Sequence, residues 1–510
     1  MKLFAALRMR GAAASFALVI IAATASPGAR AQAPSQDATA AALLAKHRAY
    51  VGWQLGDGTF TSMRIKGHAT DEKGKRTENF SMISAGVVYR NTSTMLDQAN
   101  ATVHTGYTGK LFWRADVNGF PTPVYGDYAK FLASLTVLRQ EGTTELPATS
   151  KGDKTVDGKS LGVVRVTLAN GDPIDCYIDP QTGAYVQAII DPDGSYETTI
   201  HIHSYADVLP GKKMISSFTR GDDKTLFTYD TFEPNVPIAD TDLHPPQATA
   251  SWTFESQDPV PITLTHQRML VDATVNGVKG RFILDTGADA IVLDNRFAGR
   301  AKAAELKAST DFDTMYGTVP TRVMRVDTIS FGGATLHTPI VYSQDFHTSV
   351  LGTYRGLDAE GLDGLIGYDL LAGTIVKLDV YGSKMNVLDP STDLSAQPGL
   401  QVIVDLSEGT PIIPMMLNKS IPVNVMLDTG NPGAIFMDVD LAKKHHLVEY
   451  SEGCAALESL AIGPITYSEQ EVCSADLGSD YMLLGFDFLK RFDFVFDYPH
   501  GRMFLTPNKN

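Results

Sequence analysis

Cysteine is scarce: Cys176, Cys454 and Cys473 are the only three in 510 residues. They allow one disulfide, and only in an oxidising compartment. Positive charge is also short, with 43 Lys and Arg against 58 Asp and Glu and a net charge of −15. That balance leaves no basic footprint for nucleic acid. Beyond residue 31 no run of 18 apolar residues occurs, so no membrane-spanning helix is expected. There is no glycine-rich phosphate loop, no serine nucleophile elbow and no zinc-ligand helix motif, so no cofactor and no metal are expected. His201 and His203 alternate on a predicted strand and face one side, but no third ligand at suitable spacing accompanies them.

What is present starts with a leader. Lys2, Arg8 and Arg10 precede an apolar stretch from Ala12 to Ala25 and a small-x-small Ala29-Arg30-Ala31. Residues 1–31 therefore read as a secretory signal, which predicts a periplasmic or secreted protein. Cys454 and Cys473 lie close together in one predicted domain and are the expected disulfide pair, leaving Cys176 as a small buried hydrophobe.

The length predicts about three domains. Residues 32–244 open with a polar tether and the helical pattern "AALLAKHRAYVGW". Strand-like runs follow, broken by Asn-Gly-Asp-Pro, Asp-Pro-Gln-Thr-Gly and Asp-Pro-Asp-Gly turns. This is the pattern of an antiparallel β domain with a helix laid on it. Pro245, Pro246, Pro259 and Pro261 bracket a polar stretch, so 245–258 is read as a linker.

Beyond the linker the chain repeats itself, from about 259 to 392 and again from about 400 to 508. "RFILD" and "VNVMLD" each lead into Asp-Thr-Gly, at Asp285 and Asp428. An offset of 118 residues sets Gly367 on Gly485, Asp369 on Asp487, Asp379 on Asp497 and Met385 on Met503. Landmarks matched in the same order at both ends indicate an internal duplication.

Each apolar strand thus ends on a buried carboxylate, which is costly without compensation. Two halves related by a pseudo-twofold would set Asp285 against Asp428. Carboxylates that close cannot both ionise easily, so one keeps its proton. The ionised member can take a proton from a water, and the protonated one can polarise a carbonyl. Gly287 and Gly430 let backbone amides approach, and Thr286 and Thr429 can hydrogen-bond across the interface.

These residues resemble the retropepsin-type aspartic proteases. The family pattern of Asp-Thr/Ser-Gly-Ala and a later apolar-apolar-Gly is matched by Asp285-Thr286-Gly287-Ala288 with Leu365-Ile366-Gly367. It is matched again by Asp428-Thr429-Gly430 with Leu483-Leu484-Gly485. The resemblance implies two fused β-barrel lobes, a monomer, a catalytic dyad of Asp285 and Asp428, and a peptide or protein substrate. It also implies that Asp289 contacts substrate main chain or braces the loop. In the second copy Asn431-Pro432-Gly433 intervene before Ala434, so the half-sites cannot be identical. Asp285 precedes Gly367 by 82 positions and Asp428 precedes Gly485 by only 57. One flap is therefore expected, from the first lobe, with Tyr316 and Gly317 near its tip, and little room for a hairpin in "EYSEGCAALESLAIG". With its helix-plus-meander layout and the runs "YIDPQTGAYVQ" and "SYADVLPGKKMI", the N-terminal domain resembles periplasmic lipoprotein-carrier domains, which are antiparallel half-barrels. The expected fold is thus mainly β, and the expected activity aspartic endopeptidase. The alternative is an inactive peptide- or lipid-binding envelope protein on a protease-like scaffold.

Overall fold

The computed structural model describes residues 36–508, except 97–100, 193, 195–196, 222, 257, 266–267, 315–316, 347–360, 434, 448–452, 476 and 478–480. The signal-like segment 1–31, Tyr316 and most of the glycine-containing loop 345–364 lie outside the described residues. The fold is mainly β, as expected. The chain forms two compact units. Among the described residues, one comprises 36–89 and 127–243; the other groups 90–126 with 244–508.

In the first unit the turn-punctuated runs fold as an antiparallel meander. The strand order is 76–85, 62–70, 223–234, 212–220, 198–209, 185–190, 173–178, 159–167 and 148–156, curled as a half-barrel. His201 and His203 both lie on an exposed face. Helix Ala38–Val51 starts where Asp37 accepts a hydrogen bond from Ala40 N at 2.7 Å, and ends at Gly52 with φ +78°. It buries Ala40, Leu44, His47 and Val51, one stripe at helical spacing. His47 Nδ1 donates to the Gly183 carbonyl at 2.8 Å, and Nε2 meets the Glu141 carboxylate at 2.7 Å. The imidazole stacks on Tyr185. The reading of 52–240 as β throughout is corrected by a second helix, Gly126–Arg139. Phe131, Leu135 and Leu138 carry its i, i+4, i+7 spacing, which the flanking strand runs mask. Cys176 is fully buried between strands 159–167 and 185–190.

In the second unit, two stretches pass through the same succession of elements. Hairpin Arg268–Val275/Val278–Leu284 leads to Asp285, and hairpin Ile412–Leu417/Ile421–Asp428 ends on Asp428. Short strands Val292–Asp294 and Ile435–Asp438 follow, then helices Asn295–Arg300 and Val439–Lys444. Asp294 and Asp438 cap those helices from their N-terminal ends. Strands Gly364–Ile366 and Met482–Gly485 then insert parallel to the Asp-bearing strands, pairing Leu284 with Ile366 and Asp428 with Gly485. The later stretch closes into a six-stranded barrel.

A separate six-stranded sheet joins the two stretches, with Ile375–Asp379 antiparallel to Phe492–Asp497. Its register is reciprocal. The offset of 118 carries Val376 onto Phe494 and Leu378 onto Phe496, and Val376 faces Phe496 while Leu378 faces Phe494.

The first stretch carries a long hairpin, Ala304–Thr314/Gly317–Arg325. The later stretch has a hairpin too, Cys454–Ile462/Ile465–Ala475. Its second strand runs parallel to Ile435–Asp438, as Ile340–Gln344 runs parallel to Val292–Asp294. It therefore fills the place of strands 328–344 and not that of hairpin 304–325. Cys454 and Cys473 are cross-strand partners in it and form a disulfide.

Candidate active site

Apolar residues build the floor. Phe282, Ile283 and Leu284 are almost fully buried, as are Val425 and Leu427, so each strand must deliver its terminal Asp to the interior. Asp285 is 7% exposed and Asp428 is half-buried. Each carboxyl lies against the glycine of the other's loop, Asp285 at Gly430 and Asp428 at Gly287, and the Asp428 charge acts on Asp285.

The threonines hold this arrangement from beneath. Thr286 Oγ1 donates to Leu427 O at 2.6 Å and accepts from Thr429 N at 3.1 Å. Thr429 Oγ1 donates to Leu284 O at 2.7 Å and accepts from Thr286 N at 3.1 Å. The bonds cross the interface in two matching pairs. Both threonines are buried, so no water competes for these groups.

The glycines are required by space. A Cβ on Gly287 would collide with the Asp428 carboxyl, and one on Gly430 with the Asp285 carboxyl. Gly367 and Gly485 pass so close beneath the two loops that a Cβ would strike Ala288 O and Gly433 O respectively. The first loop closes through Tyr368 N donating to Ala288 O at 2.9 Å. The second closes through Phe486 N to Asn431 O at 2.6 Å and Gly433 N to the Asn431 side-chain oxygen at 2.8 Å. The Asn-Pro-Gly sequence is thus accommodated by the same floor.

The two carboxyls are not equivalent. Asp285 Oδ1 accepts from Gly287 N at 3.0 Å. Asp428 Oδ1 accepts from Gly430 N at 2.9 Å and Asn431 N at 3.0 Å. Burial pushes Asp285 well above the usual carboxylate range, and the Asp428 charge and hydrogen bond push it further. Burial also raises Asp428, but the Asn431 N–H, the hydrogen bond from Asp285 and the Gly430 N–H pull it back. The pair titrates as a unit. The donor count favours charge on Asp428 and the proton on Asp285.

Asp289 is half-buried beside this loop, where burial raises its carboxyl and the Arg114 charge lowers it. Gly317 begins the second strand of hairpin 304–325, and Tyr316 lies outside the described residues. Sequence reasoning missed several neighbours. Arg268, 3% exposed, donates from Nε to the Gly430 carbonyl at 3.0 Å. Arg114 sits over the Tyr368 ring, 5.9 Å from its centroid, and donates to Ser407 O. Thr122 and Tyr368 share a hydroxyl hydrogen bond of 2.6 Å. Asp116 is 2% exposed, accepts from Phe120 N and Asn118 N, and is pushed up to about 7 by burial. Asp369 is raised well above the usual range by burial and by Asp116 and Asp289. Residues 114–122 stand far from any motif, so nothing in the sequence ties them to Asp-Thr-Gly. Asp369 had a signal, since it lies just past the Leu-Ile-Gly landmark.

Residues 271–370 match a family described as aspartyl protease. No curated protein matches the chain. Among solved structures, a DUF1329 family protein from Desulfovibrio piger is similar at 12% identity and a TM-score of 0.31, covering 40% of this chain and 95% of that one. A putative outer membrane lipoprotein-sorting protein domain from Vibrio parahaemolyticus is similar at 9% identity and a TM-score of 0.29, with the same coverage.

Proposed function

We propose that this protein is an aspartic endopeptidase whose dyad is Asp285 and Asp428. The observation that carries the reading is the placing of two interior carboxyls against each other's loop glycines, Asp285 at Gly430 and Asp428 at Gly287, with the threonines bonded across beneath them. The family match over 271–370 supports it. In the reaction a water oxygen bonds to the peptide carbonyl carbon. Its proton passes to the ionised aspartate while the protonated one gives its proton to the carbonyl oxygen. Collapse of the resulting diol breaks the C–N bond, the amine takes the first proton, and a diol proton returns to the second aspartate. No covalent intermediate forms on the chain.

The substrate is an extended peptide, paired to backbone as an added strand. Hairpin 304–325 is the flap, with Gly317 beside its tip, and Ala288 and Asp289 line the substrate side. The two stretches act as lobes of one chain, so a monomer suffices. The signal-like leader and the Cys454–Cys473 disulfide support a periplasmic or secreted location.

The test is mass-spectrometric screening of purified protein against a mixed peptide library at mildly acidic and neutral pH. Wild type should cut. Asp285→Asn and Asp428→Asn should each lose about 10³-fold or more in kcat/KM, a typical scale for groups that act as a unit, with unchanged thermal midpoints. Cleavage at wild-type rates by either variant sinks the dyad.

A second reading is a binding protein that no longer cuts. One observation favours it: Trp53, Phe60, Met63, Met82, Met214 and Tyr229 line an apolar pocket in the N-terminal meander unit. Native mass spectrometry of the purified protein would show a co-purifying lipid, and the library screen would show no products.

A further inference from the structure

We propose that Arg268 is a positioning residue for the dyad, acting through one peptide group to fix the charge on Asp428 and the proton on Asp285. The inference rests on the dyad reading above. Arg268 opens strand Arg268–Val275 in the first stretch and is buried. Its Nε donates to the carbonyl of Gly430, in the second stretch, at 3.0 Å. The N–H of that same peptide group belongs to Asn431 and donates to Asp428 Oδ1 at 3.0 Å.

A cationic donor on a carbonyl polarises the peptide and makes its N–H a stronger donor. Arg268 therefore reaches the Asp428 carboxylate through a single peptide group as well as through space. Among the described residues, Asp285 has no matching arrangement. Ala288 stands three residues past Asp285, as Asn431 stands three past Asp428, but its N–H turns to the Asp285 main-chain oxygen at 3.3 Å.

Among the described residues, the charges that act most on the pair are the aspartates themselves and Arg268, whose cation favours the ionised form of both. Asp428 is then the base that receives the water proton, and Asp285 is the acid that serves the carbonyl oxygen.

The test uses the full chain with Arg268→Met and Arg268→Lys. Two readouts are taken: the pH profile of kcat/KM, and the carboxyl titration of ¹³C-aspartate-labelled protein by NMR. Asp285→Asn and Asp428→Asn assign the resonances. Removing the cation should move the acid limb and the Asp428 titration upward by about one pH unit. At about one unit below the wild-type midpoint, kcat/KM should then fall about tenfold. Arg268→Lys, which keeps the charge, should stay nearer to wild type. The proposal is overturned if Arg268→Met titrates as wild type, or if Met and Lys shift the profile equally. Should Arg268→Met fail to fold, Arg268→Gln takes its place, keeping an N–H for Gly430 but no charge. Should wild type cut no peptide, the endopeptidase reading fails by itself, and the NMR titration still decides the role of Arg268.

Discussion

Thr286 and Thr429 show what a single hydroxyl can do at a buried seam. Each donates to a main-chain carbonyl of the other strand and accepts from the other threonine's N–H. Thr286→Val keeps the shape and leaves Leu427 O and Thr429 N without those partners. Each stranded group costs about 1–3 kcal/mol, so the variant should lose roughly 2–6 kcal/mol in urea unfolding. Thr429→Val should lose a similar amount, because its bonds mirror those of Thr286. A near-zero loss in one and a large loss in the other would show that the seam is not reciprocal. At this scale the repeated Asp-Thr-Gly made the central residues legible. Arg268 was not, because an arginine opening a strand carries no mark of the carbonyl it will meet from another part of the chain.

At the scale of elements, period and punctuation served well where one pattern stood alone. Helix Ala38–Val51 shows its apolar stripe, its Asp cap and its closing glycine directly in the sequence. Helix Gly126–Arg139 has the stripe but sits among strand-like runs, so its sequence reads as β. The hairpin after Cys454 shows the opposite difficulty: local sequence can reveal a hairpin, but only pairing shows which earlier one it corresponds to. The His47–Glu141 pair locks the first helix to the loop at Gly183, with both side chains fully buried. His47→Leu leaves a carboxylate without its partner and should cost about 3–5 kcal/mol. The double variant His47→Leu/Glu141→Leu should recover part of that loss. A double variant less stable than His47→Leu in urea unfolding would contradict the account.

For the whole molecule, the carboxyls around Arg114 set a pH dependence of stability. Asp116 is pushed up to about 7 by burial, and Asp369 and Asp289 are raised in the same direction. An unfolded aspartate releases its proton near about pH 3.9. Between about pH 4 and 7 the folded chain therefore binds protons that the unfolded chain has released, and stability falls as pH rises through that window. Asp116→Asn keeps an acceptor for Asn118 N and Phe120 N and removes one titration. Its thermal midpoint should fall less steeply than that of wild type across that same window. Parallel curves would refute the assignment to Asp116.

The chain order has a consequence for how this protein is made and dissected. Residues Arg90–Gly126 belong to the same compact unit as His244–Asn510, yet the ribosome delivers them first. Thr122 must wait through the synthesis of strands 148–234 before Tyr368 exists to receive it. A gene cut at the proline-rich stretch 245–258 would yield a fragment with both aspartates but without Arg114, Asp116 or Thr122. An exchange of everything before that cut would therefore remove Arg114, Asp116 and Thr122 along with the meander.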